Sequence, residues 1–216
     1  MNILTAILSL FVVLFAITVH EASHGWAALK MGDPTAYHLG RITLNPLRHI
    51  DPFGTILLPL LLIVMGAPPF GWAKPIPVNP LNLRNPRRDN LLISASGPLS
   101  NLMVAFVAFM GIQGIRLLSP QLFLARGGGM FNLLSGLFLI LYYTVLINVI
   151  LAIFNLIPIP PLDGSGVLAG MLSDEAAQKY DLIRPYGFFI LVLLIMTGII
   201  GRILGVILRI VDSFIF

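Results

Sequence analysis

The sequence contains no cysteine, so it offers neither a disulfide framework nor a thiolate that could act as nucleophile or metal ligand. Charge is scarce as well: 10% of the 216 residues are charged, whereas a soluble domain of this length carries roughly 25%. The net charge of +4 is small and is spread over connecting segments, so nothing in it predicts a nucleic-acid partner. With a mean hydropathy of +0.95, the chain is expected to be an integral membrane protein in contact with the lipid bilayer.

Apolar runs dominate the chain. Those long enough to cross the hydrocarbon core, which takes about 20 residues, are 4–29, 91–117, 131–156 and 186–210. The last one carries glycines and arginines in its second half, so we expect it to break or end early. A fifth run, 54–69, is shorter and contains prolines, which predicts a short span, a re-entrant piece or an interfacial helix. The sequence has no internal repeat, and residues 1–216 are expected to form a single all-α polytopic membrane domain with about four transmembrane helices.

The basic residues predict an orientation in the membrane. They concentrate in segments 30–90 and 157–185. Because connecting segments rich in lysine and arginine stay in the cytoplasm, these two segments are expected there and the N-terminus outside. The expected location is the cell membrane, and no feature of the sequence predicts an oligomeric state.

Two of the four histidines and one of the two glutamates fall within five residues of the first apolar run, in the stretch HEASH (20–24). A lipid-exposed segment must be helical, so His20 and His24 lie one turn apart on the same face. Both imidazoles can then reach one tetrahedral Zn²⁺ at about 2.0–2.1 Å. Glu21 lies beside that metal, where it can take a proton from water and pass it to a leaving amine. This is the H-E-x-x-H pattern of zinc peptidases.

A structural explanation of the same residues has to be weighed. A lone buried histidine or glutamate is more often a hydrogen-bond partner between helices than a metal ligand. An ionisable residue in a membrane helix nevertheless costs at least about 2.5 kcal/mol, and it is by default a functional hypothesis. Three such residues within five positions favour the metal site.

A catalytic zinc site needs a third protein ligand and an open position for water. Among the remaining acidic residues only Asp163 directly follows an apolar span, in the stretch NLIPIPPLDGSG (155–166). Pro158, Pro160 and Pro161 are expected to hold this backbone extended, and Gly164 to permit a sharp turn after the carboxylate. Without the histidines, a carboxylate that merely caps a turn would be the better interpretation.

Three separated motifs now resemble a known family. HEASH in the first helix, SGPLSN (96–101) in a later one and NLIPIPPLDG at the end of a third look like the site-2 proteases, which are intramembrane zinc metalloproteases. The resemblance implies that one zinc per chain is held by His20, His24 and Asp163, that Glu21 is the general base, and that Asn155 supports substrate or transition state. The glycine usual before the second histidine is Ser23 here. The chain resembles the compact subgroup without PDZ or CBS domains.

The family also implies an activity and a fold. It cleaves peptide bonds within or next to transmembrane segments of membrane protein substrates, in regulated intramembrane proteolysis. For the first and third long helices to share one metal, both must run in the same direction, so segment 54–69 cannot be a second complete crossing. Gly97 and Pro98 are expected to allow close helix approach, and Asn101 to bond a neighbouring helix.

A protease must engage its substrate as an extended chain, and segment 70–80 is suited to that. Together with segment 38–45 it is expected to form a small membrane-associated β-hairpin near the metal. Prolines at every second position remove N–H groups from one edge, while Lys74, Ile76 and Val78 keep theirs for an added substrate strand on the other edge. The alternative is a proline-rich interfacial loop.

Two other functions remain open at this point. A metal-binding membrane protein, such as a transporter or a chaperone of helices, would use the three ligands but leave Glu21 without a role. A transporter would also be expected to show polar residues in several helices and a repeat. An inactive homologue acting as a scaffold is the third possibility, although every matched catalytic position is occupied. The protease is the favoured interpretation.

Overall fold

A computed structural model of the chain describes residues 3–66, 71–118 and 133–216. Short 3₁₀ turns lie at Pro46–Arg48, Pro80–Asn82 and Arg184–Tyr186, and a π-helical turn at Pro52–Leu57 leads into α3. The α-helices are α1 (Ile3–Met31), α2 (Thr35–His38), α3 (Leu58–Val64), α4 (Pro86–Leu118), α5 (Leu133–Asn155), α6 (Asp163–Met171), α7 (Asp174–Asp181), α8 (Gly187–Met196) and α9 (Ile199–Ile215). Long apolar runs without proline explain the helices α1 and α5.

The helices of the described residues fit an integral membrane protein. Three of them, α1, α4 and α5, are long and apolar enough to cross a membrane. A fourth span is broken, because the stretch 174–196 continues into α9 only after a bend of 64°. Gly198 lies at this bend with a φ of +71°, a left-handed conformation that glycine adopts without strain. The predicted count of about four therefore corresponds to three continuous helices and one bent pair.

In its described part, segment 54–69 is mainly a short helix. The π-helical turn and α3 together cover residues 52–64, which is about 20 Å at 1.5 Å per residue. A hydrocarbon core of roughly 30 Å needs more than that. As far as Gly66 the segment makes no complete crossing, in line with the sequence prediction, and residues 67–69 lie outside the described part.

The predicted β-hairpin is wrong for the residues that the structure describes. Segment 38–45 turns at Gly40, which has a φ of +62°, and segment 71–79 runs extended without a ladder to it. Four backbone N–H groups of 71–79, those of Trp72, Lys74, Ile76 and Asn79, donate to loop carbonyls and side-chain carboxylates instead, and its two prolines supply no N–H. Residue 70 lies outside the described residues.

α4 packs antiparallel to α1. Near the end of α1, His24 bonds the carbonyl of Ile93 near the start of α4. About two turns earlier in α1, the carbonyl of Ala16 accepts from Asn101, further along α4. The two helices therefore run in opposite directions.

α5 packs antiparallel to α4 in turn. Asn101 of α4 bonds Asn148 near the end of α5, while Gly111 further along α4 lies against Leu141, earlier in α5. It follows that α1 and α5 point the same way. The end of α1 and the residues after α5 therefore meet at one level, where a shared site can form.

α6 is held close to α4 by glycines. A Cβ built on Gly166 would lie 2.1 Å from the Oγ of Ser94, and one on Gly170 would lie 2.5 Å from the Cβ of Leu91. This small-xxx-small spacing lets the two helices approach closely. Because α6 begins at Asp163, the contact fixes where that carboxylate stands.

Candidate metal centre and active site

Three buried or largely buried side chains converge between α1 and α6. The Nε2 atom of His20 lies 3.1 Å from the Nε2 atom of His24 and 3.0 Å from Oδ2 of Asp163. The Nε2 atom of His24 lies 3.3 Å from the other carboxylate oxygen, Oδ1. The structure therefore brings together the three residues that the sequence predicted as metal ligands, with one atom of each within 4.8 Å of the others.

Hydrogen bonds fix the tautomer of both rings. Nδ1 of His20 lies 2.6 Å from Oδ1 of Asn101, and Nδ1 of His24 lies 2.7 Å from the carbonyl oxygen of Ile93. Both oxygens only accept, so each Nδ1 must carry the proton. In a neutral imidazole the other nitrogen is then a bare acceptor, and the two Nε2 lone pairs face one another.

The converging atoms fit a small cation. Oδ2 of Asp163 is buried and receives no hydrogen bond, although buried polar atoms usually have a partner. Two bare ring nitrogens and a carboxylate at 3.0–3.3 Å repel each other unless a positive ion lies among them. A tetrahedral ion with bonds of about 2.0–2.1 Å separates its ligands by about 3.3 Å, close to these distances. The nitrogen and oxygen donors suit Zn²⁺.

A chain of buried amides orients His20. Nδ2 of Asn101 donates to the carbonyl of Ala16 at 3.1 Å and to Oδ1 of Asn148 at 2.8 Å. These two bonds leave Oδ1 of Asn101 facing the imidazole. Nδ2 of Asn148 in turn donates to the carbonyl of Thr144 at 2.8 Å. Asn101 therefore does more than join two helices, because it sets the orientation of a ligand ring.

Asn148 was missed by the sequence analysis. It is fully buried and it reaches the metal centre only through Asn101. The sequence does contain a sign of this role, because Asn148 is an amide side chain in the middle of an otherwise apolar run. A polar residue inside a membrane helix needs a partner.

We expect Asn148→Leu to weaken zinc binding about 10- to 100-fold, because an outer partner that orients a ligand ring typically contributes that much. The leucine has the same number and branching of side-chain heavy atoms as asparagine but cannot accept from Asn101. Competition with a chelator measures the affinity. Thr144→Val, one turn away on α5, removes only a hydroxyl bonded within its own helix and should bind zinc like the unmodified protein. Equal affinities in the two variants would contradict the role of Asn148.

His24 is oriented by the backbone of α4. A proline inside a helix disturbs the hydrogen bonds of the preceding turn, and Pro98 lies inside α4, where it is fully buried. In that turn the carbonyl of Ile93 accepts from His24 and from the hydroxyl of Ser96 at 2.6 Å. Pro98, which was predicted to have a structural role, therefore lies five residues after Ile93, whose carbonyl orients His24.

Gly97 lies against both imidazoles. A Cβ built there would lie 2.5 Å from Nε2 of His24 and 2.7 Å from Cε1 of His20. Such distances are far inside van der Waals contact. Gly97 was predicted to allow close approach of a neighbouring helix, and in the structure its nearest neighbours are the imidazoles of His20 and His24.

The loop before Asp163 is built from turns. Its backbone bonds run from the N–H of Ile159 to the carbonyl of Ile157 and from the N–H of Leu162 to that of Ile159, so the predicted extended conformation is wrong. The prolines limit which residues can donate, and the remaining N–H groups close tight turns. The loop is secured by its carbonyls: that of Pro158 accepts from the Tyr180 hydroxyl at 2.8 Å.

Close contacts between two glycines and the carbonyls of this loop also help to fix the position of the Asp163 carboxylate. A Cβ on Gly164 would lie 2.2 Å from the carbonyl oxygen of Leu156, and one on Gly187 would lie 2.0 Å from that of Pro160. The φ of Gly164 is not positive, so this glycine provides space for a backbone carbonyl rather than the unusual turn that the sequence predicted.

Glu21 is half-buried on the helix that carries the two histidines. Its Oε2 atom accepts from the backbone N–H of Ile76 at 3.0 Å. The N–H of Lys74 is also engaged, with the carbonyl of His49 at 2.9 Å. Two of the three donors predicted for an added substrate strand are therefore occupied within the protein, and Val78 is the third.

Asn155 makes a local contact in the structure. Its Nδ2 atom donates to the carbonyl of Leu151, one turn earlier in α5, at 3.0 Å. It lies at the end of α5, eight residues before Asp163. Its role toward a substrate stays a prediction.

Several known proteins are similar in sequence to this chain over most of its length. Residues 115–196, which include Asp163, match the family model described as Peptidase family M50. The chain is 37% identical over 180 residues to "Putative zinc metalloprotease YwhC" of Bacillus subtilis, covering 83% of the chain and 76% of that protein. It is 29% identical over 190 residues to "Putative zinc metalloprotease Rip2" of Mycolicibacterium smegmatis, covering 88% of the chain and 66% of that protein.

A Mycobacterium tuberculosis protein with the same printed name, Rip2, is 26% identical over 200 residues, covering 92% of the chain and 71% of that protein. No solved structure matches the chain significantly. Each of these relatives covers more than four fifths of the chain.

Proposed function

The chain belongs to peptidase family M50, the zinc metalloproteases of the site-2 type, and from this premise we propose that it hydrolyses peptide bonds within or next to transmembrane helices of membrane protein substrates. The observation that carries the proposal is the place of the metal centre. His20 and His24 lie on a helix that is long and apolar enough to span a membrane, and Asp163 follows a second such helix. Chemistry at this centre takes place at the depth of the bilayer.

The residues of the chain divide the work of hydrolysis. Zinc held by His20, His24 and Asp163 supplies Lewis acidity toward water and toward the scissile carbonyl. The Glu21 carboxylate takes the proton of the attacking water as the new carbon–oxygen bond forms. It then gives that proton to the amide nitrogen as the carbon–nitrogen bond breaks, so that the products are a carboxylic acid and an amine, which exchange a proton to become a carboxylate and an ammonium group. Glu21 ends in the ionisation state in which it began.

The orientation of the site follows from charge. The segments that flank the metal centre carry most of the basic residues, and such segments remain in the cytoplasm. This supports an N-terminus outside and an active site toward the cytoplasmic side of the cell membrane. Cleavage there would release cytoplasmic fragments of substrates, as in regulated intramembrane proteolysis.

The contact with the extended substrate involves fewer groups than the sequence predicted. Because the N–H groups of Lys74 and Ile76 are engaged, a substrate strand can pair with this segment through Val78 and through carbonyls of the segment. Asn155, at the end of α5, is proposed to bond the substrate backbone.

The proposal is tested by adding purified protein to solubilised membranes and mapping new protein termini. Termini inside apolar segments are expected with the unmodified protein. Glu21→Gln should reduce them at least about 100-fold, the lower end of what general-base catalysis contributes, while zinc content stays the same. Glu175→Gln changes the other glutamate, which is exposed on α7, and serves as the matched control. Equal cleavage in the two variants would contradict the mechanism, and no new termini with any zinc-loaded protein would contradict the activity.

A further inference from the structure

The extended segment 71–79 is tied to the rest of the molecule at several points. The N–H of Trp72 donates to the carbonyl of Gly54 at 3.2 Å. At the other end, the N–H of Asn79 donates to Oδ2 of Asp33 at 2.7 Å. Burial by itself would raise the pKa of Asp33, but its hydrogen bonds outweigh that effect and hold the pKa below the usual range. An ionised carboxylate therefore anchors one end of the segment at neutral pH.

The middle of the segment is held beside α1. Nη2 of the buried Arg41 donates to the carbonyl of Lys74 at 2.8 Å and to that of Pro75, in the peptide that carries the Ile76 N–H, at 3.4 Å. The side chain of Ile76 packs at Gly25, where a built Cβ would lie 3.6 Å from Cγ2 of Ile76 and 3.0 Å from Cγ1 of Ile42. Gly25 is one helical turn after Glu21 and on the same face. Residue 76 is therefore fixed directly over the turn that carries Glu21.

The two prolines of the segment leave a single backbone N–H group beside Glu21. Pro75 and Pro77 have no N–H, so Ile76 is the only donor among residues 75–77. That donor lies 3.0 Å from Oε2 of Glu21. Within the described residues the other oxygen, Oε1, has no hydrogen-bond partner, so the bond to Ile76 leaves it available for proton transfer.

We propose that the backbone N–H of Ile76 positions Glu21 for proton transfer, with Arg41 holding the peptide that presents it. This inference rests on the proposed function, because it assigns Glu21 the transfer of the proton. Without the bond, the carboxylate could rotate between several rotamers on the helix, and either oxygen could turn away from the reacting water. A misplacement of about 1 Å in a reacting group can cost about 100-fold in rate.

The test removes this single donor. Replacing the Ile76 amide with an ester, by incorporation of the matching α-hydroxy acid, deletes the N–H and keeps the side chain. We expect kcat to fall about 10- to 100-fold, with KM within about twofold and zinc content unchanged. The same replacement at Ala73 is the matched control, because within the described residues the Ala73 N–H has no partner and Ala73 has no assigned contact with substrate, so its kcat should stay the same. Ile76→Ala, which keeps the N–H, should retain most of the activity.

A second readout does not depend on activity. In protein labelled with ¹⁵N-isoleucine, the Ile76 amide proton should resonate downfield and should move upfield in Glu21→Gln, because a carboxylate accepts more strongly than an amide. An unmoved resonance, or an unchanged or raised kcat in the Ile76 ester, overturns this inference alone. Absence of cleavage by the zinc-loaded unmodified protein overturns the proposed function instead.

Discussion

Gly97→Ala is expected to empty the metal centre and to reduce cleavage on the order of 1,000-fold, since the loss of a catalytic metal leaves little catalysis. The added methyl would lie 2.5 Å from Nε2 of His24 and 2.7 Å from Cε1 of His20. Neither ring can retreat without breaking its bond to Asn101 or to the carbonyl of Ile93. Zinc content by metal analysis and cleavage of a model substrate measure the effect.

The control for this prediction lies on the same helix. Gly114→Ala places the same methyl where nothing lies within 4 Å, and in a helix alanine is favoured over glycine by about 1 kcal/mol. It should bind one zinc, cleave normally and melt no lower than the unmodified protein. If Gly97→Ala also kept its zinc and its activity, the packing of α4 against the two rings would not be what shapes the site.

Asp163→Asn is expected to lower zinc affinity on the order of 100- to 1,000-fold. Structural zinc sites bind with about 10–16 kcal/mol in total, so one of about four ligands contributes roughly 3–4 kcal/mol. The amide keeps the size of the carboxylate but not its charge. Affinity is measured by competition with a chelator of known strength.

Asp174→Asn tests whether loss of a negative charge alone has this effect. Asp174 pairs with Arg87 at an exposed position one helix further on, and exposed ion pairs contribute about 1 kcal/mol or less. Zinc affinity in this variant should match that of the unmodified protein. A comparable loss in both variants would mean that net charge, rather than ligation, governs metal binding.

The ligand set was predictable because it depends on local rules. Helical periodicity alone places His20 and His24 on one face, and the absence of cysteine restricts the partner to oxygen or nitrogen donors. Asp163 needed the motif at the end of a third apolar run, since nothing in local structure says that this loop returns to α1. The transmembrane helices were predictable for a similar reason, because a bilayer forces long apolar runs to be helical.

The surroundings of the ligands were not predictable, because they depend on tertiary contacts. Alternation of prolines in segment 70–80 is compatible with a strand, but the donors of Lys74 and Ile76 are taken by a loop carbonyl and by Glu21. Sequence cannot say which of several acceptors an extended segment will meet. The role of Asn148 likewise depends on α4 and α5 lying side by side, so that one amide can orient another.

The bonds at Nδ1 of the two histidines also have a consequence for metal choice. Both rings are held by acceptors on α4, so the spacing of 3.0–3.3 Å between the converging atoms is set by how three helices pack. Calcium needs six to eight oxygen ligands at about 2.3–2.6 Å, which a cage of this size and composition cannot provide. The spacing of these atoms, which suits zinc and not calcium, is therefore set by the packing of α1, α4 and α6.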